Sequence, residues 1–403
     1  MTNFDRAWDE LAPLGRDPLT GGYQRYAWTD VDEALRAWFR AQAEARTMQV
    51  EVDRNGNQWA WWRAPGPGAV VTGSHLDSVP GGGAYDGPLG VVSGFLAIDE
   101  LLARRVDPVR PIAVVQFADE EGARFGVSCV GSRLMTGLLA PEQARALHDA
   151  DGLGLADAMS AAGVPPELIG RDEEALARIG AFVELHIEQG RGLVDVPAPI
   201  GVARRIWPHG RWRVTFTGSA DHAGTTRLPD RHDPMLPFAM TVLAARRQAE
   251  LAGALATFGK VRVQPGATNG IASSVEAWLD VRAPDESTLI DLVDALTQVA
   301  LEVAAAHGSS FDIVCESRTA EVAFDAALRD RVQSALAARL GKVPGLSTGA
   351  GHDAGIVATA VPTAMLFVRN RTGVSHSPAE HADRADCLDG VLALADVLAD
   401  LAC

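Results

Sequence analysis

The run from Ala69 to Leu101 constrains the fold more than any other part of the chain. It begins with apolar Ala69-Val70-Val71 and passes through GSHLDSVPGGGAYDG. It continues with Leu89, Val92, Phe95, Leu96, Ile98 and Leu101 at roughly three- and four-residue spacing. The pattern predicts a buried strand over 69–73, a loop made flexible by Gly81-Gly82-Gly83, and an apolar helix after Asp86. His75 and Asp77 then fall just past the end of the strand, and Asp86 falls at the start of the helix. In open α/β sheets the ligand crevice lies beyond the carboxyl ends of the strands. Taken alone, the same residues also describe a polar loop with a solvated histidine and two helix-capping aspartates.

Three further stretches put polar chemistry at the end of an apolar run. Pro111 to Phe117 predicts a strand that runs straight into Asp119-Glu120-Glu121. Three adjacent carboxylates repel one another unless cations or water satisfy them; the alternative is an acidic turn at a helix N-terminus. Residues 181–190, AFVELHIEQG, alternate, so Glu184, His186 and Glu188 share one strand face opposite Val183, Leu185 and Ile187. That face is either a ligand histidine with carboxylate support or a solvated strand edge. Thr363 to Val368 predicts a strand followed by a loop, RNRTGVSHSP, that carries His376.

The rest of the chain frames these stretches. Its 403 residues make room for about two domains. Helices are expected up to Arg46, with Asp30 as an N-cap and Leu35, Trp38 and Phe39 on one face. A hairpin should turn at Asn55-Gly56-Asn57. Residues 141–178 are helical with breaks at Gly163, Pro165 and Pro166. Near Arg204 the style changes: strands at 212–217, 258–263, 277–281 and 311–314 alternate with helices at 235–253 and 285–307. Met235, Phe238, Met240, Leu243 and Ala244 are expected inside. This β-α-β-β-α-β order is the ferredoxin-like pattern. From Asp325 the helical style of the first region returns and closes at 383–402. The expected fold is therefore α/β with two domains: a mixed-sheet α/β domain, 1–205 and 322–403, with a ferredoxin-like α+β domain, 206–321, inserted.

Composition excludes some functions. The net charge of -16 leaves no excess of Lys and Arg for non-specific nucleic-acid binding. No window approaches the roughly 18 apolar residues of a membrane span, and the acidic N-terminus is no signal peptide. The four cysteines, Cys129, Cys315, Cys387 and Cys403, form no CxxC pair and fit a reducing cytoplasm.

His75 with Asp86, Glu120 with Glu121, His186, and His376 all lie at strand ends or in adjoining loops. Parallel strands would bring those ends together. Three imidazoles with two or three carboxylates form an N/O donor set that suits zinc, and also manganese or cobalt. A carboxylate shared by two cations gives a two-metal hydrolase site. The chain at this point resembles a known family, that of the N-carbamoyl-L-amino-acid hydrolases, β-ureidopropionases and allantoate amidohydrolases, within the aminoacylase-like metallopeptidase clan. The matching motifs are GSHLDSVPGGGAYDGPLG, DEEGARF, HIEQG, DHAGTTRLPDRHDP, ATNGIASSVEAWLDVRAPD, GAGHDA and GVSHSPAE, in the family's order from Gly73 to Glu380.

The resemblance implies two divalent cations. His75 and His186 would hold one, Glu121 and His376 the other, and Asp86 would bridge them. Glu120 would be the general base, and Asp77 the carboxylate behind His75. Gln189 would face the ureido or amide group. His222, Asn269 and Arg282 would serve the substrate carboxylate and the oxyanion, with His222 and Asn269 reaching the partner's site in a homodimer built on the inserted domain. His352 would lie near the metals and substrate. The implied substrate is a small N-carbamoyl or ureido acid, hydrolysed at its linear C–N bond. Allantoate amidohydrolase is the first alternative and an aminoacylase or dipeptidase of the clan the second. The inserted domain would act as a lid. Two positions depart from the family pattern or add charge: Arg227 stands where many relatives have Pro, and Arg371 lies in the loop of His376.

Overall fold

The computed structural model describes residues 2–403. Two helices come first, Asn3–Leu11 and Asp30–Glu44. Thr29, not Asp30, caps the second: its hydroxyl accepts the Asp32 N–H at 3.3 Å, and Asp30 lies inside the first turn. β1 (Gln49–Val52) and β2 (Gln58–Trp62) then pair antiparallel around the Asn55-Gly56-Asn57 turn. β3 (Ala69–His75), β4 (Ile112–Phe117), β5 (Ile179–Ile187) and β6 (Ile200–Ile206) follow. His75 is the last residue of β3 rather than a residue beyond it. The helix between β3 and β4, Pro88–Ala103, is buried on every side from Pro88 to Ile98, which is why its sequence is apolar all round rather than striped. It presses closely on the sheet because Gly90 has no side chain: a Cβ there would sit 2.3 Å from the Leu185 carbonyl oxygen.

The chain forms two compact units, one running to Arg205 and resuming at Ala323, the other Ile206–Val322. The second unit contains β7 (His209–Thr217), β8 (Asp221–His222), β9 (Leu255–Gln264), β10 (Gly270–Ile271), β11 (Ser274–Arg282) and β12 (Ser310–Thr319). The four long strands pair antiparallel in the order β12-β7-β11-β9. Alternate residues of β11, Val275, Ala277, Leu279 and Val281, are buried and pack with helices Met235–Ala252 and Glu286–Ala306. The first of these helices corrects the sequence expectation. Phe238 is buried, but Met235, Met240 and Leu243 are 39%, 45% and 73% exposed. The helix buries Pro237, Phe238, Thr241, Ala245 and Ala249 instead. Mostly small side chains line the packed stripe, and the large apolar ones are left outside.

After the insertion come β13 (Val322–Ala323), β14 (Gly345–Thr348) and β15 (Thr363–Val368). β15 pairs parallel with β5 and antiparallel with β6. The large sheet has the order β1-β2-β4-β3-β5-β15-β6-β13, with β14 on β6. Its centre, β4-β3-β5-β15, is parallel and its flanks are antiparallel. The main apolar core joins side chains of β3, β5 and β15 to helices Pro88–Ala103, Ala326–Leu340 and Arg384–Ala402. β5 lies mid-sheet, so Glu184 and His186 are fully buried and the solvated-edge alternative fails. Among the described residues no helix is long and apolar enough to cross a membrane.

Candidate metal centre

Parallel pairing at the centre of the sheet gathers four carboxyl ends. His75 ends β3, Asp119-Glu120-Glu121 follow β4, His186 lies near the end of β5, and the loop after β15 carries His376. Asp86 stands between them. Its Oδ1 lies 3.1 Å from His186 Nε2 and 3.7 Å from His75 Nε2. Its Oδ2 lies 3.4 Å from His376 Nε2, which is 3.8 Å from Glu121 Oε2. Two donor clusters therefore share one carboxylate: His75, Asp86 and His186, and Asp86, Glu121 and His376, with the donor atoms of each within 4.8 Å of one another.

The surroundings fix these groups. The Nδ1 of His75 faces the Asp77 carbonyl at 3.1 Å and its carboxylate at 3.4 Å. The Asp77 carboxylate also accepts the N–H of Glu120 at 3.2 Å and of Glu121 at 2.9 Å. One side chain thus sets both an imidazole and the acidic turn. His186 Nδ1 faces the Ile187 carbonyl at 2.9 Å, and its Nε2 accepts the Gly87 N–H at 3.2 Å. Gly87, at φ +83, allows this approach: a Cβ there would meet the His75 ring at 2.4 Å. Glu120 Oε1 lies 3.2 Å from Cys129 Sγ, and its Oε2 is 3.8 Å from His75 Nε2. Gln189 donates to Asp86 Oδ2 at 2.8 Å and Ser375 Oγ at 3.0 Å. His352 is buried with its ring 4.5 Å from that of His186, and its Nε2 has no hydrogen-bond partner.

Crowding shifts the protons. Burial, opposed by His75 and reinforced by Glu121, holds the Glu120 carboxyl well above the ordinary range. Burial and the Asp86 charge push Glu121 up to about 8. Against its own burial, hydrogen bonds with His186 and His75 hold Asp86 well below it. Burial and the neighbouring His186 hold the His352 imidazole well below its ordinary range.

Sequence reasoning placed Glu184 as carboxylate support beside His186 but passed over Glu380. Glu184 accepts from Ser74 Oγ at 2.6 Å and from the Ala354 N–H at 2.8 Å. Glu380, four residues after His376, accepts the N–H of Asp86 at 3.0 Å. Strand alternation signalled Glu184; the only signal for Glu380 was an acidic residue spaced closely to a histidine. The remaining expected residues lie in the inserted unit. His222 and Asn269 come together there: Gly270 pairs with His222 across β8 and β10, and the Asn269 carbonyl accepts the Ala223 N–H at 3.0 Å. Arg282 lies at the far end of β11, where it meets Asp280 at 2.9 Å. Arg227 pairs with Asp230 and Arg371 with Asp383.

Residues 71–400 match the family described as Peptidase family M20/M25/M40. The chain belongs to that family. Within the M20/M25/M40 family, the chain is 35% identical to an N-carbamoyl-L-amino acid amidohydrolase of Geobacillus stearothermophilus, over 97% of this chain and 96% of that one. It is 32% identical to an allantoate amidohydrolase of Escherichia coli, over 100% of this chain and 99% of that one. The solved structure of an amidase of the hydantoinase/carbamoylase family from Burkholderia multivorans superposes with a TM-score of 0.87 at 33% identity, covering 99% of this chain and 98% of that one.

Proposed function

We propose that the chain is a two-cation amidohydrolase that cleaves the linear C–N bond of N-carbamoyl-L-amino acids or similar ureido acids. The observation that carries this reading is Asp86, with one oxygen turned to His75 and His186 and the other to His376 beside Glu121. His75 and His186 would hold one cation, Glu121 and His376 the other, with Asp86 contributing to both. The donor set fits such a group. Three imidazoles and two carboxylates suit zinc, manganese or cobalt. Glu121 Oε1 is buried without a hydrogen-bond partner. Both buried imidazoles spend Nδ1 on main-chain carbonyls and turn Nε2 toward Asp86. When bound, divalent cations acidify water and polarise the substrate carbonyl.

The chain's own residues do the rest. Glu120 takes a proton from the attacking water and passes it to the leaving nitrogen. Asp77 keeps His75 and the Glu120-Glu121 turn in register. Gln189 and His352 face the ureido group. His222 supplies a donor to the developing oxyanion, and Asn269 and Arg282 hold the substrate carboxylate, Arg282 in bidentate fashion. Ser274 and Arg282 are the first and last of the nine residues of β11, about 26 Å apart at roughly 3.3 Å per residue. A single chain therefore cannot bring Arg282 and the His222–Asn269 pair to one small substrate. This supports a homodimer in which the inserted unit is both lid and dimerisation domain. The exposed Leu236, Met240 and Leu243 give it an apolar face to bury. All four cysteines are free, which suits a reducing cytoplasm.

The test is direct. The purified protein is loaded with Mn2+ and incubated with N-carbamoyl-L-amino acids and with allantoate, and released ammonia is measured. Turnover of the carbamoyl amino acids is expected. Ammonia from allantoate alone would move the chain to the second reading, which the whole-length match to the E. coli enzyme favours. Cleavage of N-acyl amino acids or dipeptides without ureido turnover would overturn both.

A further inference from the structure

The two donor clusters are supported differently. His75 and His186 belong to β3 and β5 and are fixed by strand pairing, His75 opposite Phe117 of β4 and His186 opposite Phe367 of β15. Asp86 and His376 both sit in loops, and His376 is half exposed with a left-handed backbone at φ +54. Some contact must hold these two loops together if Asp86 is to reach both clusters.

Gln189 joins the side chains of Asp86 and Ser375, and a second residue holds the main chain. Glu380 is 4% exposed and its Oε1 accepts two successive main-chain donors, the N–H of Tyr85 at 2.9 Å and of Asp86 at 3.0 Å. Its Oε2 lies 3.3 Å from the hydroxyl of Ser375, the neighbour of His376. That hydroxyl is in turn 3.3 Å from Asp86 Oδ2. Gly83 makes room for the arrangement: a Cβ there would fall 2.4 Å from Glu380 Oε1 and 2.5 Å from its Cβ. A carboxylate that accepts two adjacent amides fixes the path of the loop that donates them. Glu380 belongs to neither donor cluster.

We propose that Glu380 is a positioning residue for the second cation site. It ties the loop of Asp86 to the loop of His376, so that Asp86 Oδ2 meets His376 and Glu121. The imidazoles of His75 and His186 are held by their strands, so the site they form with Asp86 depends less on Glu380. The proposal rests on the reading of Asp86 as a shared ligand.

The experiment compares wild type with Glu380→Gln, Glu380→Ala and Gly83→Ala. Each protein is stripped with chelator and titrated with Mn2+, and bound metal per chain is measured alongside kcat. Wild type should take up two cations. Glu380→Gln keeps a carbonyl oxygen for both amides and should also take up two. Glu380→Ala should bind the second cation roughly 10–100-fold more weakly, the usual cost of removing a group that orients ligands, and the first with a distinctly smaller loss. Its lost kcat should return as Mn2+ is raised, which a packing defect would not allow. Gly83→Ala, which displaces Glu380 from the other side, should behave like Glu380→Ala and keeps the question open to test if the latter fails to fold. Two cations bound by Glu380→Ala with wild-type affinity would overturn the proposal. So would a Glu380→Gln protein as impaired as Glu380→Ala. Fewer than two cations on wild type would instead strike at the shared-ligand reading itself.

Discussion

Glu120 and Glu121 share one turn of backbone and face different partners. Asp77 accepts both of their N–H groups, which splays the side chains: Glu121 toward His376, Glu120 toward His75 and Cys129. The division of labour between ligand and base follows from that splay. Glu120→Gln preserves shape and removes the proton acceptor. It should lower kcat by roughly 10²–10⁴-fold while cation content, measured on the same sample, stays at the wild-type level. A kcat within a few fold of wild type would remove Glu120 from the role of base. Gly87→Ala tests the packing behind the ligands. Its Cβ would enter the His75 ring at a backbone angle of +83, costing about 1–2 kcal/mol from the left-handed conformation alone and displacing His75 besides. Loss of cation binding together with a lower melting temperature is the expected result. Much at this scale was legible. The recurrence of His75, Asp86, Glu120, Glu121, His186 and His376 at element ends was readable, and the structure gathers these residues; which of them would hold cations came only from the family resemblance. Glu184 was reached through strand alternation, but Glu380 could not be, because what matters in it is which main-chain amides it meets, and that is set by loop geometry with no spacing rule.

At the scale of elements, strands were easier to read than helix faces. The apolar runs that became β3, β4, β5 and β15 are buried on both sides and admit few other readings. The helix Met235–Ala252 was misread because amphipathic periodicity ranks side chains by apolarity. This helix instead buries alanines at close approach and leaves Met240 and Leu243 outside. A length argument then makes a prediction about β7 and β11. The His222–Asn269 end and the Arg282 end of that sheet lie opposite one another, so under the proposed function a complete site would take them from two chains. His222→Ala and Arg282→Ala should each be nearly inactive alone. Mixed by co-expression in equal amounts, they should recover about a quarter of wild-type activity: half the symmetric dimers are mixed, and each of these has one intact site. Activity no greater than the two variants assayed separately would mean that one chain supplies both ends.

For the whole molecule, the cost of the site is the concentration of acid inside the larger unit. Burial and neighbouring charge push Glu121 and Asp353 up to about 8 and Glu380 up to about 7. Burial opposes, but Glu120 for His75 and Asp86 for His186 outweigh it and raise both imidazoles. Each of these groups binds a proton more tightly in the fold than in the unfolded chain. Its stabilising contribution is therefore complete below the unfolded pKa and is lost as pH rises through the folded one. With cations bound, charge that protons would otherwise neutralise is met by metal. Chelated protein should consequently melt at a falling temperature as pH rises from 6 to 9, while protein with saturating Mn2+ should vary far less. Asp86, held low, titrates outside that window and does not alter the sign. The gap between the two curves should be widest at high pH. At a free cation concentration about 100 times Kd it should correspond to about 2.7 kcal/mol for each site, and returning Mn2+ should close it. Calorimetry on chelated and reloaded samples across that range decides the matter. A melting temperature independent of chelator at pH 8.5 would mean that the buried acids are balanced within the protein itself, and that cations are not what the cluster was built to hold.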